Sequence, residues 1–154
     1  VVEAAAMSMP HLLIARKAGF RELANFDKLG IEYPYTSVVV QRQTAAKNPD
    51  LVERFLKCMI EGTYLYKTNK AKTLAAFKRY MKGADDDILE ETYQATRGTL
   101  DEAPYPSVQV VKSALDMLSL QYPQAKQTDA NLIVEPSLVK RIDDSGFIRA
   151  LYKK

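Results

Sequence analysis

The hydrophobic positions of this chain follow one pattern near the N-terminus and a different one afterwards. Near the N-terminus they form short apolar runs bounded by Pro, Gly or Asp, which are typical of buried strands. We predict strands at residues 1–9, 20–26 and 35–42. The last run contains Val38, Val39 and Val40 in succession, and β-branched residues favour extended backbone. A short helix is predicted at residues 11–18, with Gly19 as its C-terminal stop.

From Asn48 onward the apolar residues take a helical spacing. Asn48 can cap a helix and Pro49 suits the first helical position. Apolar side chains then recur three and four residues apart between Leu51 and Tyr64, as in a long amphipathic helix. Similar spacing predicts further helices at 71–81, from 85, after the capping residue Ser107, and at 136–142 and 144–152. The whole pattern predicts an α/β fold with few strands near the N-terminus and mostly helices after them.

Composition excludes several classes of protein. The 154 residues are 47% hydrophobic and 27% charged, which suits a globular domain with its own core. No apolar run reaches the roughly 20 residues that span a bilayer. The net charge is only +3 and no basic stripe with interleaved aromatic residues occurs, so we predict no nucleic-acid partner.

The chain carries few residues suited to catalysis or metal binding. With one cysteine and one histidine, it has no internal disulfide and no Cys/His cluster for zinc. No glycine-rich phosphate loop and no Gly-x-Ser-x-Gly elbow occurs. Adjacent carboxylates such as those at 85–87 lie at predicted helix starts, where the helix dipole favours negative charge. We therefore expect no catalytic residue, no cofactor and no metal.

Two stretches are candidate ligand contacts. In the first, a predicted strand ends at Ser8-Met9-Pro10 and leads directly into a helix that begins at His11. Small ligands bind at such strand ends in α/β folds, and a helix N-terminus favours an anion. The alternative is that Ser8 only caps the helix and that His11 is a solvated first-turn residue.

The second stretch is Tyr33-Pro34-Tyr35-Thr36, which precedes the valine run. Its hydroxyl groups and aromatic rings could line a cleft. The alternative is that the tyrosines are partly buried packing residues.

The order of the motifs resembles a known family. Ser-Met-Pro at 8–10 is followed by Ala-Arg-Lys-Ala-Gly-Phe-Arg-Glu-Leu-Ala at 15–24 and by Gly-Ile-Glu-Tyr-Pro-Tyr-Thr-Ser-Val-Val-Val at 30–40. Lys-Asn-Pro-Asp-Leu-Val-Glu-Arg-Phe-Leu-Lys then begins at 47, and Asp-Ser-Gly-Phe-Ile begins at 144. This series is similar to the distal half of the substrate-binding proteins of ABC transporters for nitrate, sulfonate and taurine. The same superfamily includes the pyrimidine-precursor proteins of thiamin biosynthesis.

The resemblance implies the C-terminal part of a type II periplasmic-binding-protein fold, of which the N-terminal half is missing from this sequence. Residues 1–42 would be the end of the second lobe and the strand crossing between lobes, and 43–154 the helical C-terminal part of the first lobe. A small, anionic or heteroaromatic ligand would bind in the inter-lobe cleft, and no reaction would be catalysed. The implied ligand-binding residues are Ser8, Met9, His11, Tyr35 and Thr36.

The same resemblance implies that the partner is the membrane permease of an ABC transporter. The location would be periplasmic, or extracellular with a membrane anchor. Two alternatives remain open: a relative of the thiamin-pyrimidine-precursor synthase, in which His11 would be reactive, and a helical protein-interaction fragment. Self-association through an exposed apolar patch is a further expectation.

Overall fold

The computed structural model describes residues 3–30, 32, 34 and 36–153. These residues form α-helices joined by extended segments and short 3₁₀ turns. The helices are α1 His11–Lys17, α2 Arg42–Lys47, α3 Pro49–Thr68, α4 Lys70–Tyr80, α5 Asp86–Thr96, α6 Val108–Ser119, α7 Ser137–Asp144 and α8 Phe147–Tyr152. The 3₁₀ turns are Phe26–Lys28, Pro123–Gln127 and Ala130–Leu132.

The predicted α/β fold is wrong, because no residue that the structure describes lies in a strand. The described parts of the three predicted strands, 3–9, 20–26 and 36–42, contain no β-ladder, and Phe26 begins a 3₁₀ turn. A strand-forming sequence favours extended backbone, but a strand exists only where a neighbour accepts and donates its hydrogen bonds. The third prediction also missed α2, which begins at Arg42.

The helix predictions are confirmed. The helices α1, α3, α4 and α5 lie close to their predicted positions, and Ser107 caps α6 by accepting a hydrogen bond from the Val110 N–H at 3.3 Å. Two short helices close the chain, as expected. Gly19 follows α1 with φ of 86°, a left-handed conformation that favours glycine, so its role as a helix stop is also confirmed.

The described helices fall into two units. The first unit comprises Val1–Asn25 and Glu61–Glu102. Within it, α5 packs against α4 and α1 and buries Ile88, Leu89 and Tyr93. The Tyr66 ring lies 5.9 Å from the rings of both Phe77 and Tyr93, measured between centroids. Aromatic contacts from three helices therefore form the centre of this unit.

The second unit comprises Phe26–Ile60 and Ala103–Lys154. Its core is a cluster of three buried isoleucines, Ile60 of α3, Ile142 of α7 and Ile148 of α8. The half-buried apolar residues packed on this cluster are Leu56, Ala103, Phe147, Leu151 and Tyr152. In the same unit, α6 packs on the 3₁₀ turns at Pro123–Gln127 and Ala130–Leu132. The division at residue 42 into lobes of a larger protein stays a prediction.

A charged contact joins α3 to α7 beside the isoleucine cluster. The Glu53 carboxylate accepts a hydrogen bond from Lys57 Nζ at 2.8 Å and pairs with the guanidinium of Arg141. Lys57 also lies over the Phe147 ring, 5.5 Å from its centroid. Hydrogen bonds from Lys57 and then Arg141 hold the pKa of Glu53 below its ordinary value of 4.5.

We predict that Ile142→Ala lowers the free energy of unfolding by about 2–5 kcal/mol, because it opens a cavity in the isoleucine cluster. Ile142 is 1% exposed, whereas Ile133 is 53% exposed. Ile133→Ala is therefore the matched control and should stay within about 0.5 kcal/mol of the parent protein. Urea unfolding followed by helical circular dichroism measures both. Equal losses in the two variants would contradict this assignment of the core.

The lowered pKa of Glu53 predicts a dependence of stability on pH. As pH falls, the unfolded chain binds a proton at the Glu53 carboxylate before the folded chain does. The stabilisation of the folded state by this carboxylate is therefore present above about pH 4.5 and is lost as pH falls through the folded pKa. Glu53→Gln should therefore lower the melting temperature slightly at pH 7 and make it fall less steeply between about pH 5 and 3.

Glu61→Gln is the control for this pH dependence. Glu61 is another glutamate of α3, and it forms no ion pair with any residue of the described ranges. Its replacement should leave the slope of melting temperature against pH unchanged. If the slope of melting temperature against pH flattened equally in both variants, the contacts of Glu53 with Lys57 and Arg141 would not be the cause of the pH dependence.

Candidate functional site

The first predicted ligand-binding segment forms one local surface at the start of α1. Ser8 and His11 are exposed and Met9 is half-buried, while Pro10 between them is buried. Within the described part of the chain, no group hydrogen-bonds to the Ser8 hydroxyl or to the His11 imidazole. Both polar side chains are therefore available to a ligand.

The structure tests one of the two interpretations of Ser8, its role as a helix cap. Its side chain does not cap α1, for which Pro10 is the N-cap residue and no side-chain cap bond forms. Ser8 contributes its backbone carbonyl instead, which accepts a hydrogen bond from the Leu12 N–H at 3.0 Å. A capping role for the Ser8 hydroxyl is therefore wrong.

Three backbone N–H groups at this helix start, those of Leu12, Leu13 and Ile14, are already used. The Pro10 carbonyl accepts from the N–H groups of Leu13 at 3.0 Å and Ile14 at 3.2 Å, in addition to the bond from Leu12 to Ser8. These N–H groups cannot also bind an anion. A ligand bound at this segment would therefore contact the side chains of Ser8, Met9 and His11 rather than these three N–H groups.

Contacts of α1 hold the segment in place. Leu13 is buried, and α1 packs against α5. Lys17 at the end of α1 pairs with Asp87 at the start of α5, and Arg16 pairs with Glu22. The hydrogen bond from Lys17 lowers the pKa of Asp87, and the same bond raises the pKa of Lys17. These pairs are largely exposed, so burial of Leu13 is the stronger anchor.

Of the two residues of the second stretch that are predicted to bind a ligand, the structure describes one. Thr36 is exposed and belongs to the second unit, whereas Ser8, Met9 and His11 belong to the first. Tyr35 lies outside the described residues. Ser8, Met9 and His11 thus lie together because they belong to one short segment. A contribution of Tyr35 and Thr36 to ligand binding stays a prediction.

Two shallow grooves are lined by none of these residues. A groove of about 420 Å³ lies between α4 and α5 and is lined by residues that include Leu74, Leu89 and Lys78. The Lys78 ammonium donates a hydrogen bond to the Asp86 carboxylate at 2.8 Å. A smaller one of about 220 Å³ lies between α6 and the following 3₁₀ turns. Neither groove was predicted from the sequence. For the groove between α4 and α5, the one signal in the sequence is a pair of small residues four positions apart, Ala71 and Ala75.

The described ranges 3–30, 32, 34 and 36–153 contain neither a candidate metal site nor a candidate membrane span. No group of three or more His, Cys, Asp or Glu residues there could hold a metal ion. Among the same residues, no helix combines the length and the apolar character needed to cross a bilayer.

Comparison with known proteins adds no further assignment. No protein-family model, no curated protein and no solved structure matches this chain.

We predict that Leu13→Ala loosens the segment that carries Ser8 and His11. The substitution removes a buried side chain beneath a helix of only seven residues, at an expected cost of about 2–5 kcal/mol. Amide hydrogen exchange should accelerate first in α1. Leu23→Ala, at an exposed leucine of the same unit, is the control and should leave these amides unchanged. Unaltered exchange in α1 after Leu13→Ala would contradict the anchoring role.

Proposed function

We propose that this chain is a solute-binding component of an ABC-type transport system. It binds a small anionic or heteroaromatic ligand, releases it unchanged and catalyses no reaction. The ligand contacts the segment at the start of α1, through Ser8, Met9 and His11. The ligand-binding chain acts outside the cytoplasmic membrane, in the periplasm or anchored on the outer face, and its partner is the membrane permease.

Two observations support this proposal. The series of motifs from Ser8 to Ile148 resembles substrate-binding proteins of this type along almost the whole chain. The structural observation that carries the proposal is the availability of the Ser8 hydroxyl and the His11 imidazole, which are exposed and make no hydrogen bond to the described residues. A capping serine would have had its hydroxyl occupied.

The three side chains match the proposed ligand class. A serine hydroxyl and an imidazole N–H both donate hydrogen bonds to an anionic oxygen, or to a ring nitrogen that accepts them. The thioether of Met9 is polarisable and adapts to a flat aromatic ligand.

The single histidine makes a direct binding test possible. Because the chain contains one histidine, the ¹H–¹³C signals of its imidazole report on His11 without assignment of the remaining spectrum. Sulfate, nitrate, taurine, a short alkanesulfonate and a pyrimidine are each titrated into the 154-residue protein. We expect at least one of them to shift the His11 signals saturably.

Variants connect that shift to the segment. Ser8→Ala should weaken binding of the same ligand about 10- to 100-fold, as expected for the loss of one hydrogen bond to a charged group. Ser113→Ala, at a serine of α6 in the other unit, should leave the affinity unchanged. Ligand recovered chemically unchanged after incubation agrees with a receptor. A converted ligand, or His11 signals that no compound shifts, would refute the proposal.

A further inference from the structure

The valine-rich segment at residues 36–41 has the features of an unpaired β-strand. Its sequence, Thr-Ser-Val-Val-Val-Gln, contains no charge, no proline and no glycine. Short segments of high β-propensity and low charge are those that pair with other strands most readily. The segment is exposed along its whole length in the second unit.

The exposure of the three valines alternates along the segment. Val39 is 87% exposed, whereas Val38 and Val40 are 49% and 41% exposed. This alternation is the signature of extended backbone, in which neighbouring side chains point to opposite faces. One face of the segment is therefore partly covered by the protein, and the other, which carries Val39, is open.

The backbone of the segment is also open. No described residue hydrogen-bonds to the N–H or C=O groups of residues 36–40, and the Gln41 carbonyl is used because it accepts from the Ala45 N–H at 3.0 Å. A row of unpaired backbone groups is a template for strand addition. The segment thus offers backbone hydrogen bonds and apolar side chains at one place.

We propose that this segment pairs with the same segment of a second copy of the chain, antiparallel and centred on Val39. A two-fold axis through the pair then places Val39 opposite Val39 of the second copy and Val38 opposite Val40. Each of the three valines of one copy therefore lies opposite a valine of the other copy. This inference is independent of the proposed ligand binding.

The uncharged sequence of the segment favours a second copy over a charged partner strand. The segment has no charged group with which to select a charged partner, but its own sequence is complementary to itself. In the register centred on Val39, Ser37 lies opposite Gln41 and Thr36 opposite Arg42 of the second copy. No like charges face each other, which would destabilise the pair.

The pairing is expected to be weak. Six residues span only about 20 Å, and an isolated two-stranded pair is marginally stable in water. We therefore expect reversible association between about 10 µM and 1 mM, which sedimentation equilibrium measures on the 154-residue protein.

Opposite charges at the central position test the register. Val39→Asp and Val39→Lys each place like charges face to face on the two-fold axis, so each variant alone should associate at least 10-fold more weakly than the parent. An equimolar mixture of the two variants should associate again, as a heterodimer, because Asp then faces Lys. The same mixing experiment with Val40→Asp and Val40→Lys should give no such recovery, since position 40 faces Val38.

The controls separate pairing from misfolding and from other surfaces. Val39 is exposed, so both variants should retain the helical circular dichroism of the parent. Leu120→Asp, at an exposed leucine elsewhere in the same unit, should leave association unchanged. A parent protein that stays monomeric at 1 mM, variants at Val39 that associate as the parent does, or a mixture that fails to recover would each overturn the proposal.

Discussion

Every backbone N–H and C=O group must find a hydrogen-bond partner or remain in water, and this requirement divides the chain into two kinds of segment. A helix satisfies these groups within itself, between residues four apart. A strand depends on a neighbour that lies elsewhere in sequence. The helices from α1 to α8 therefore form wherever the local sequence favours them. The segments at 3–9, 20–25 and 36–41 remain outside helices and β-ladders and are mostly exposed.

Seven of the eight described helices have 12 residues or fewer, and they need tertiary burial as well as backbone bonds, because an isolated helix of about that length is marginal in water. The isoleucine cluster supplies that burial in one unit, where Ile60 of α3 meets Ile142 and Ile148. In the other unit the same role falls to Tyr66, Tyr93 and the residues around α5. Each unit thus depends on a few branched or aromatic side chains, and the exposed ion pairs add little by comparison.

The sequence predicted the helices well because helix formation depends on local spacing and capping. Pro49 after Asn48 and the cap at Ser107 were enough to locate α3 and α6. The three strands could not be predicted in this way, because the valines at 38–40 specify extended backbone but not a partner. Ser8 and His11 are both exposed, as expected from the sequence for the point where the first segment leads directly into a helix. The use of the Leu12, Leu13 and Ile14 N–H groups depends on how the chain turns at Pro10, which residue types alone do not reveal.

Thr36 connects the two proposals, since it is both an implied ligand contact and the first residue of the self-pairing segment. In the register centred on Val39, Thr36 lies opposite Arg42 of the second copy. That guanidinium is already engaged, because Arg42 Nη2 donates to the Leu132 carbonyl at 2.6 Å within its own chain. Pairing would therefore cover the backbone beside Thr36 without a new charged contact to its hydroxyl. A ligand that needs the Thr36 hydroxyl could still reach it, whereas one that needs the neighbouring backbone groups would compete with the second copy.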